Sequence, residues 1–298
     1  MDGFFLIDKP CGPSSFDIIR MLRRPLSERS LGHAGTLDPM ATGLLIVAAG
    51  RATRLLPFLP VDPKRYEFGV RFGAETDTLD SAGKVMQDNG RIPSAEELSA
   101  ILPDFIGEQM QAPPRFSSLK VKGDRAYKLA RENREFTLWP RSVTIRSLRL
   151  DGHDAAAGEA RLTVACSTGT YVRSLARDIA HKLGTLGYAS FVRRLSIGPF
   201  TVDAAVSPDL MDIRSRMITI RDAFAAFPSV VLSAQQIRAM TNGHDVPIQA
   251  DGDASLPVFA YDAASELIAV CARSAGGIHP RRVFGRAEKA ASPESTKV

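Results

Sequence analysis

Two kinds of hydrophobic periodicity occur along the chain. Between Tyr66 and Phe72 every second residue is apolar, which predicts a half-buried β-strand. Between Val172 and Leu183 apolar residues recur every three or four positions, and Gly184 follows them. That spacing predicts an amphipathic helix that ends at the glycine.

The first fifty residues contain three further signals. Gly3–Ile7 is a short apolar run that predicts a buried strand. Ser14 or Ser15 can cap a helix that follows a turn rich in proline and glycine. We expect a loop over Leu31–Met40, and then the compact apolar stretch Gly43–Ala49.

The middle of the chain combines a helix start with a strand pair. Ser94 and Glu97 have the spacing of a capping box. Apolar residues in 143–150 can pair with those in 162–166 across a connecting loop. Strands and helices are mixed without regular βαβ alternation, so the predicted class is α+β, with a mixed, mainly antiparallel sheet flanked by helices and loops.

The sequence changes in character after Pro228. Short alternating segments separated by glycine and aspartate turns predict a small β-rich domain over 229–286. The preceding residues, 1–228, then form one large domain, and the polar tail 287–298 is predicted to be disordered.

Composition narrows the class of protein. Of 298 residues, 44% are hydrophobic and 24% are charged, which is ordinary for a globular protein. The three cysteines lie far apart and the five histidines show no metal-ligand spacing, so we expect neither a disulfide framework nor a metal site. No apolar run is long enough for a signal peptide or a membrane span. A reduced, cytoplasmic protein without membrane attachment is predicted.

Positive charge is concentrated in one part of the chain. The net charge is +5, yet residues 115–149 contain ten basic and three acidic residues with aromatic residues between them. Basic side chains suit phosphates and aromatic faces suit unstacked bases, so folded RNA is a candidate partner. A solvated basic helix is the alternative. Segment 112–140, bounded by Ala-Pro-Pro and Trp-Pro, has the limits of an insertion, and its basic residues include Lys120, Lys122 and Arg125.

The stretch Gly32–Gly43 places one carboxylate, Asp38, among small and apolar residues, directly before a proline. A buried carboxylate needs a cationic partner, and Arg173 is a candidate that could lower its pKa and keep it ionised. Taken alone, an Asp-Pro turn is more often structural than catalytic, and a single histidine such as His33 is more often a satisfied polar residue.

Six blocks, in order, resemble the motifs of the TruB family of bacterial tRNA pseudouridine-55 synthases. They span residues 5–195, and they are Phe5–Pro10, Gly32–Leu45, Lys64–Tyr66, Thr76–Asp80 with Gly83, Thr168–Arg173 and Arg193–Leu195. The resemblance implies a pseudouridine-synthase fold for 1–228, with 112–140 as an RNA-gripping insertion. For 229–286 it implies a PUA-like RNA-binding domain.

The resemblance also implies roles for individual residues. Asp38 is the nucleophile or its electrostatic equivalent, Arg173 pairs with it, and Tyr66 stacks on a flipped uracil. His33 helps to hold the base out of the RNA loop. Four more residues line or support the pocket: Tyr171, Leu195, Lys9 and Asp80.

The implied reaction needs no redox step and no phosphate energy. Neither a dinucleotide-binding fingerprint nor a P-loop is present, so no cofactor is expected. The expected partner is the T-arm stem-loop of tRNA, without an obligatory protein partner, and a monomer is taken as the default. Three alternatives stay open at this point: an RNA-folding protein without required catalysis, an RNA N-glycosidase, and a guide-RNA-dependent synthase. Relatives of the last kind lack such an insertion.

Overall fold

The structure, a computed structural model, describes residues 1–88 and 90–284. It divides into two compact units. The larger comprises Phe5–Ala48 and Leu56–Arg216, and the smaller comprises Met1–Phe4, Ala49–Leu55 and the residues from Met217 onward. The predicted tail 287–298 lies outside the described residues. Each unit has its own sheet and core.

Strands up to residue 201 build the larger unit. They are β1 Gly3–Lys9, β2 Leu31–Ala34, β3 Thr42–Ala49, β4 Lys64–Phe72, β5 Ala74–Thr76, β6 Val85–Asp88, β7 Gly107–Gln111, β8 Lys120–Val121, β9 Asp124–Arg125, β10 Arg141–Asp154, β11 Glu159–Cys166, β12 Gly187–Ile197 and β13 Phe200–Thr201. The main sheet has the order β1-β3-β12-β4-β11-β10-β7, in which β12 pairs with β3 in parallel and with β4 antiparallel. The predicted mixed, mainly antiparallel sheet is therefore confirmed.

Four helices flank that sheet: α1 Ser15–Leu26, α2 Ala95–Ile101, α3 Ala126–Arg131 and α4 Val172–Lys182. Capping boxes at Ser14 and Ser94 begin α1 and α2, because each serine hydroxyl accepts from a backbone N–H while an acidic side chain reaches back. Helix α4 covers the sheet with its apolar face, and Leu175, Ile179 and Phe68 lie in the same core. The predicted helix and the predicted pairing of 143–150 with 162–166 are confirmed.

The loop prediction for Leu31–Met40 was wrong at its start. Residues 31–34 form β2, which pairs with β3. The run is only four residues long and contains one glycine and one histidine, so it carries no periodic signal; its partner strand determines its conformation. From Gly35 to Ala41 the chain is irregular, as expected.

The smaller unit contains a four-stranded sheet in the order β15-β16-β17-β18. Its elements are β14 Ile218–Thr219, β15 Ser229–Val231, β16 Val258–Tyr261, β17 Leu267–Ser274 and β18 Gly277–Val283, with helices α5 Ile220–Ala223 and α6 Ala234–Thr241. Gly3 and Phe4 pair with Thr219 and Ile218 in this unit. The predicted C-terminal β-rich fold is confirmed, whereas its RNA-binding role stays a prediction.

Across the described ranges, no helix has both the length and the apolar character that a membrane crossing requires.

Candidate active site

Asp38 lies in the irregular loop between β2 and β3, and several groups fix the backbone around it. The hydroxyl of Ser15, at the start of α1, donates to the carbonyl of Leu37 (3.1 Å) and accepts from its N–H (2.8 Å). The N–H of Gly12 donates to the carbonyl of Pro39 (2.9 Å). Since Ser15 is 1% exposed, these contacts are shielded from water and hold both neighbours of Asp38.

Lys9 links the end of β1 to the same loop. Its ammonium donates to the carbonyls of Pro10 (2.9 Å), Pro13 (2.7 Å) and Pro39 (3.2 Å). The side chain is fully buried, and burial lowers the pKa of Lys9 to about 8 although the carboxylate of Asp38 raises it. Lys9 thus has the geometry of a support for the loop, in keeping with the role that the resemblance implied.

Arg173, the second residue of α4, is 4% exposed and has its guanidinium directed at four acceptors. Its Nε forms an ion pair with Oδ2 of Asp38 at 2.8 Å. Its Nη1 contacts Oδ2 of Asp80 at 3.2 Å and donates to the carbonyl of Thr78 at 2.7 Å. Its Nη2 donates to the carbonyl of Phe116 at 2.9 Å. One arginine therefore joins the two carboxylates predicted from different motifs.

Asp80 is held by its own turn. Its Oδ1 accepts from the hydroxyl of Thr78 (2.6 Å) and from the N–H of Ala82 (3.0 Å), which leaves Oδ2 for Arg173. The hydroxyl of Thr76 donates to the carbonyl of Asp80 (2.8 Å). Asp80 is 5% exposed, so this carboxylate is a fixed counter-charge for the arginine rather than a group open to solvent.

Asp38 differs from Asp80 because its side chain keeps 41% of its surface accessible. Within residues 1–88 and 90–284, Oδ1 of Asp38 has no hydrogen-bond partner. Burial among neighbouring groups raises the pKa of Asp38, Arg173 lowers it, and the nearby Asp80 raises it. Arg173 therefore lowers the pKa of Asp38 in the direction expected, while burial outweighs it and the net pKa is raised.

Two tyrosines lie near this pair. Tyr66 projects from β4 and is 7% exposed; burial raises its pKa, as does the charge of Asp38 to a smaller extent, while Arg194 lowers it. Tyr171 directly precedes α4, and burial raises its pKa as well. Both rings thus stay neutral phenols at neutral pH and present an apolar face with a polar end.

The remaining predicted residues are distributed differently. His33 lies on β2, its Nδ1 is buried without a hydrogen bond, and burial together with Arg194 lowers its pKa. Leu195 is half-buried on β12. Lys120, Lys122 and Arg125 are exposed in the short hairpin of β8 and β9 in segment 112–140, where they form no ion pair with Asp38.

The sequence analysis missed Arg194, the largest fully buried side chain in the described structure. Its Nε donates to the carbonyl of Leu44 (2.7 Å) and its Nη2 to that of Gly35 (3.0 Å), so it supports both ends of the Asp38 loop. Two consecutive arginines on a strand point to opposite faces, so one of Arg193 and Arg194 had to be buried. That alternation was the signal available in the sequence.

No set of three or more histidine, cysteine, aspartate or glutamate side chains in the described part of the chain could hold a metal ion. The site consists instead of a carboxylate with an open oxygen, an arginine that bridges it to a second carboxylate, and neighbouring phenol rings. Such a set can stabilise or capture positive charge at a reacting carbon.

The fold resembles those of two solved chains. A chain from a Cbf5-Nop10-Gar1 complex matches with a TM-score of 0.69 at 23% identity, over 95% of this chain and 85% of that chain. A chain from an H/ACA RNP bound to a substrate RNA containing 2′-deoxyuridine gives a TM-score of 0.69 at 20% identity over the same shares. At these identities the likeness shows the fold alone.

Sequence comparison establishes the family. Residues 23–172 match the TruB family pseudouridylate synthase (N terminal domain). The tRNA pseudouridine synthase B of Aquifex aeolicus is 46% identical over 70% of this chain and 72% of its own length. Those of Paracoccus denitrificans and Caulobacter vibrioides are 38% and 35% identical, each over 95% of this chain and 96% of their own length. The chain belongs to the TruB family of pseudouridylate synthases. It is an isomerase, as the resemblance implied.

Proposed function

We propose that this chain converts uridine-55 in the T-loop of tRNA to pseudouridine, with Asp38 as the essential carboxylate. The observation that carries the proposal is the 2.8 Å ion pair between Arg173 and Oδ2 of Asp38, whose side chain still keeps 41% of its surface accessible. The names of the relatives, each a tRNA pseudouridine synthase B, support tRNA as the substrate.

The reaction breaks the N1–C1′ bond of the nucleotide and forms a C5–C1′ bond. The proton on C5 leaves to solvent, and N1 becomes protonated, so no oxidant or co-reactant is consumed. Bond cleavage develops positive charge at the sugar, and an anionic Asp38 stabilises it or captures it covalently. Attack on the sugar, attack on the base and assisted deprotonation of the sugar all remain compatible with this arrangement.

The target base has to leave its stack, which costs roughly a few kcal/mol. Stacking on the face of Tyr66 can return about 1–3 kcal/mol. His33 is proposed to occupy the disturbed RNA loop, while Tyr171 and Leu195 line the base pocket. Exposed cations of segment 112–140 supply sequence-independent contacts to phosphates, among them Lys120, Lys122 and Arg125.

The two units are proposed to have different roles. The larger carries catalysis, and the smaller, PUA-like in its four-stranded sheet, contributes contact with RNA. A cytoplasmic location and action without an obligatory protein partner complete the proposal.

The test uses a tRNA transcript with tritium at every uracil C5, incubated with wild-type protein, Asp38→Asn and Asp178→Asn. Asp178 is the matched control, because it is a carboxylate of the same unit that pairs with Arg177 on α4 (2.6 Å) and does not contact Asp38. We expect the wild type and Asp178→Asn to release one tritium per tRNA, and Asp38→Asn to release none. A transcript with cytidine at position 55 should release none with any protein.

Digestion of the product RNA separates the alternatives. Pseudouridine in the digest confirms isomerisation, whereas free uracil with an abasic site would identify an N-glycosidase. A wild type that binds and refolds tRNA but forms neither product would indicate an RNA-folding protein, and the proposal would then be wrong.

A further inference from the structure

Gln111 is the last residue of β7 and directly precedes the basic insertion 112–140. Its side chain is 4% exposed and binds the backbone of Tyr171 with both ends of its amide. Nε2 donates to the carbonyl of Tyr171 at 3.1 Å, and Oε1 accepts from its N–H at 2.8 Å. Tyr171 is the N-cap position of α4 and caps nothing with its own side chain. The side-chain amide of Gln111 thus hydrogen-bonds both backbone polar groups of the residue that directly precedes α4.

The residues after Gln111 continue along the same helix end. The carbonyl of Ala112 accepts from the hydroxyl of Ser174 at 2.8 Å, and the carbonyl of Phe116 accepts from Nη2 of Arg173 at 2.9 Å. We name residues 111–116 the proximal segment of the insertion. Several of its hydrogen bonds reach α4: those to positions 171, 173 and 174, at the residue before the helix and in its first turn, and a longer one from Nη2 of Arg177 to the carbonyl of Ala112 (3.4 Å).

Both ends of the insertion are also fixed to the sheet. Gln111 lies opposite Arg141 in the antiparallel pairing of β7 with β10. The insertion therefore begins and ends next to two residues that are paired with each other in the sheet. The exposed cations of the insertion lie beyond this anchored base.

We infer that Gln111 is a positioning residue that orients Arg173 toward Asp38 through the backbone of Tyr171. The inference rests on the function proposed above and deepens it. Arg173 follows Tyr171 by two residues, so a displacement of the Tyr171 backbone displaces the guanidinium. A misplacement of about 1 Å at a catalytic contact can lower a rate roughly a hundredfold.

The experiment compares Gln111→Met with Gln109→Met. Methionine keeps the length and volume of glutamine but makes no amide hydrogen bond. Gln109 lies on the same strand and its Nε2 also donates to a backbone carbonyl, but to that of Phe105 (2.7 Å) and not to that of Tyr171. We expect Gln111→Met to lower kcat by roughly ten- to a hundredfold with the Kd for tRNA unchanged, and Gln109→Met to leave both values unchanged.

A second arm tests whether Gln111 acts through Arg173. If it does, adding Gln111→Met to Arg173→Ala should cost little more than Arg173→Ala alone, because the group it positions is already absent. Gln111→Glu is the second variant. It keeps the acceptor for the N–H of Tyr171 but places an oxygen against the carbonyl, so an intermediate loss is expected.

A third arm does not depend on activity. Asp38 faces Arg173, Asp80, Lys9, Tyr66 and Tyr171, and of these Arg173 is the strongest influence that lowers its pKa. In ¹³C NMR titrations of aspartate-labelled protein, the pKa of Asp38 should therefore rise in Gln111→Met and stay at the wild-type value in Gln109→Met.

An unchanged pKa of Asp38, a normal kcat in Gln111→Met, or additive losses in the double variant would each overturn the inference. An inactive wild type would instead refute the proposed function, while the titration would still decide the role of Gln111.

Discussion

Arg173 uses its whole guanidinium: Nε for one carboxylate, Nη1 for a second carboxylate and a carbonyl, and Nη2 for another carbonyl. A lysine ammonium at this position is a point charge and cannot reach the separate acceptors that Nε, Nη1 and Nη2 contact in the plane of the guanidinium. Exchange for lysine therefore keeps the charge but removes the geometry of the ion pair.

We predict that Arg173→Lys lowers kcat at least about a hundredfold, the usual loss when one preorganised electrostatic contact is removed. Single-turnover kinetics on tritiated tRNA measure it, and tRNA binding should stay normal. Arg161→Lys, an exposed exchange on β11 beside Glu67, is the control and should have wild-type rates. A fully active Arg173→Lys would mean that positive charge alone suffices.

Lys64 provides a prediction about stability. It is 9% exposed on β4, and burial followed by repulsion from Arg194 lowers its pKa to about 8, against an ordinary value of 10.5. Between these values the unfolded chain binds a proton that the folded chain does not, so this group makes the protein more stable as pH rises through that window. Below the lower value the full cost of the buried charge remains.

We predict that the wild type gains roughly 2 kcal/mol in free energy of unfolding, relative to Lys64→Met, between about pH 7 and about pH 9.5. Urea denaturation of both proteins at several pH values measures the difference. Subtracting the variant removes the contributions of groups that do not interact with Lys64. A pH-independent difference would show that Lys64 is neutral or solvated in the folded state.

The sequence predicted site residues that lie in distinctive motifs, and the structure brings three of them together: Asp38, Asp80 and Arg173. It did not predict Gln111, Lys64 or Arg194, because their roles depend on which backbone groups lie opposite them after the sheet forms. A glutamine before Ala-Pro-Pro has no local pattern that identifies the carbonyl it will bind. Lys9, which also acts through backbone carbonyls, was identified only because it lies in a distinctive motif.

At the scale of elements, segment 112–140 consists of a two-stranded turn, β8 and β9, followed by the short helix α3. The basic side chains are exposed, while Ala126, Leu129 and Ala130 are buried. Of the two sequence interpretations, the solvated basic helix describes only α3, and the exposed cations of the β8–β9 turn lie outside it. Binding of phosphates by these cations stays a prediction.

We predict that replacing Lys120, Lys122 and Arg125 together by alanine weakens tRNA binding. The dependence of log Kd on log salt should fall by about one for each phosphate that the variant no longer neutralises. Filter binding over a range of salt concentrations measures this slope. Lys84→Gln with Lys182→Gln, basic residues outside the insertion, is the control and should keep the wild-type slope. An unchanged slope in the triple variant would place the phosphate-binding surface elsewhere.

Elements with a long periodic pattern were predicted well, as β4, β10, β11 and α4 show. Helix α6 was missed although Ser233 and Gln236 form a capping box like that of Ser94 and Glu97. Its eight residues include several polar ones, so its helical hydrophobic pattern is too short to stand out from the alternating strand patterns on either side. Packing on β17 and β18 stabilises it instead.

At the scale of the whole molecule, the smaller unit draws on three separate segments of the chain. Phe4 packs against Phe224 with ring centroids 5.9 Å apart, and Phe224 stacks on Phe259 at 4.3 Å. Sequence analysis placed the boundary of a continuous domain at 228, because composition changes there. It could not show that residues near the start of the chain belong with those after 217, since long-range pairing leaves no local pattern.

We predict that Phe224→Ala destabilises the smaller unit by about 3–5 kcal/mol, the usual cost of removing a buried phenylalanine ring. Hydrogen exchange of amides in β16 and β17 measures it locally, because a single free energy is poorly defined for a chain with two units. Phe16→Ala, an exposed ring on α1, is the control and should leave exchange unchanged. Equal protection in Phe224→Ala and the wild type would contradict the proposed role of the aromatic cluster.

The three-segment construction of the smaller unit has a consequence during synthesis. A ribosome adds about 5–20 residues each second, so Phe4 emerges roughly 10–40 seconds before its partner Ile218 exists. For that interval one edge of β1 has no partner strand, although β3 pairs with its other edge. Residues 3 and 4 can therefore join the smaller unit only after residues 218 and 219 have been made.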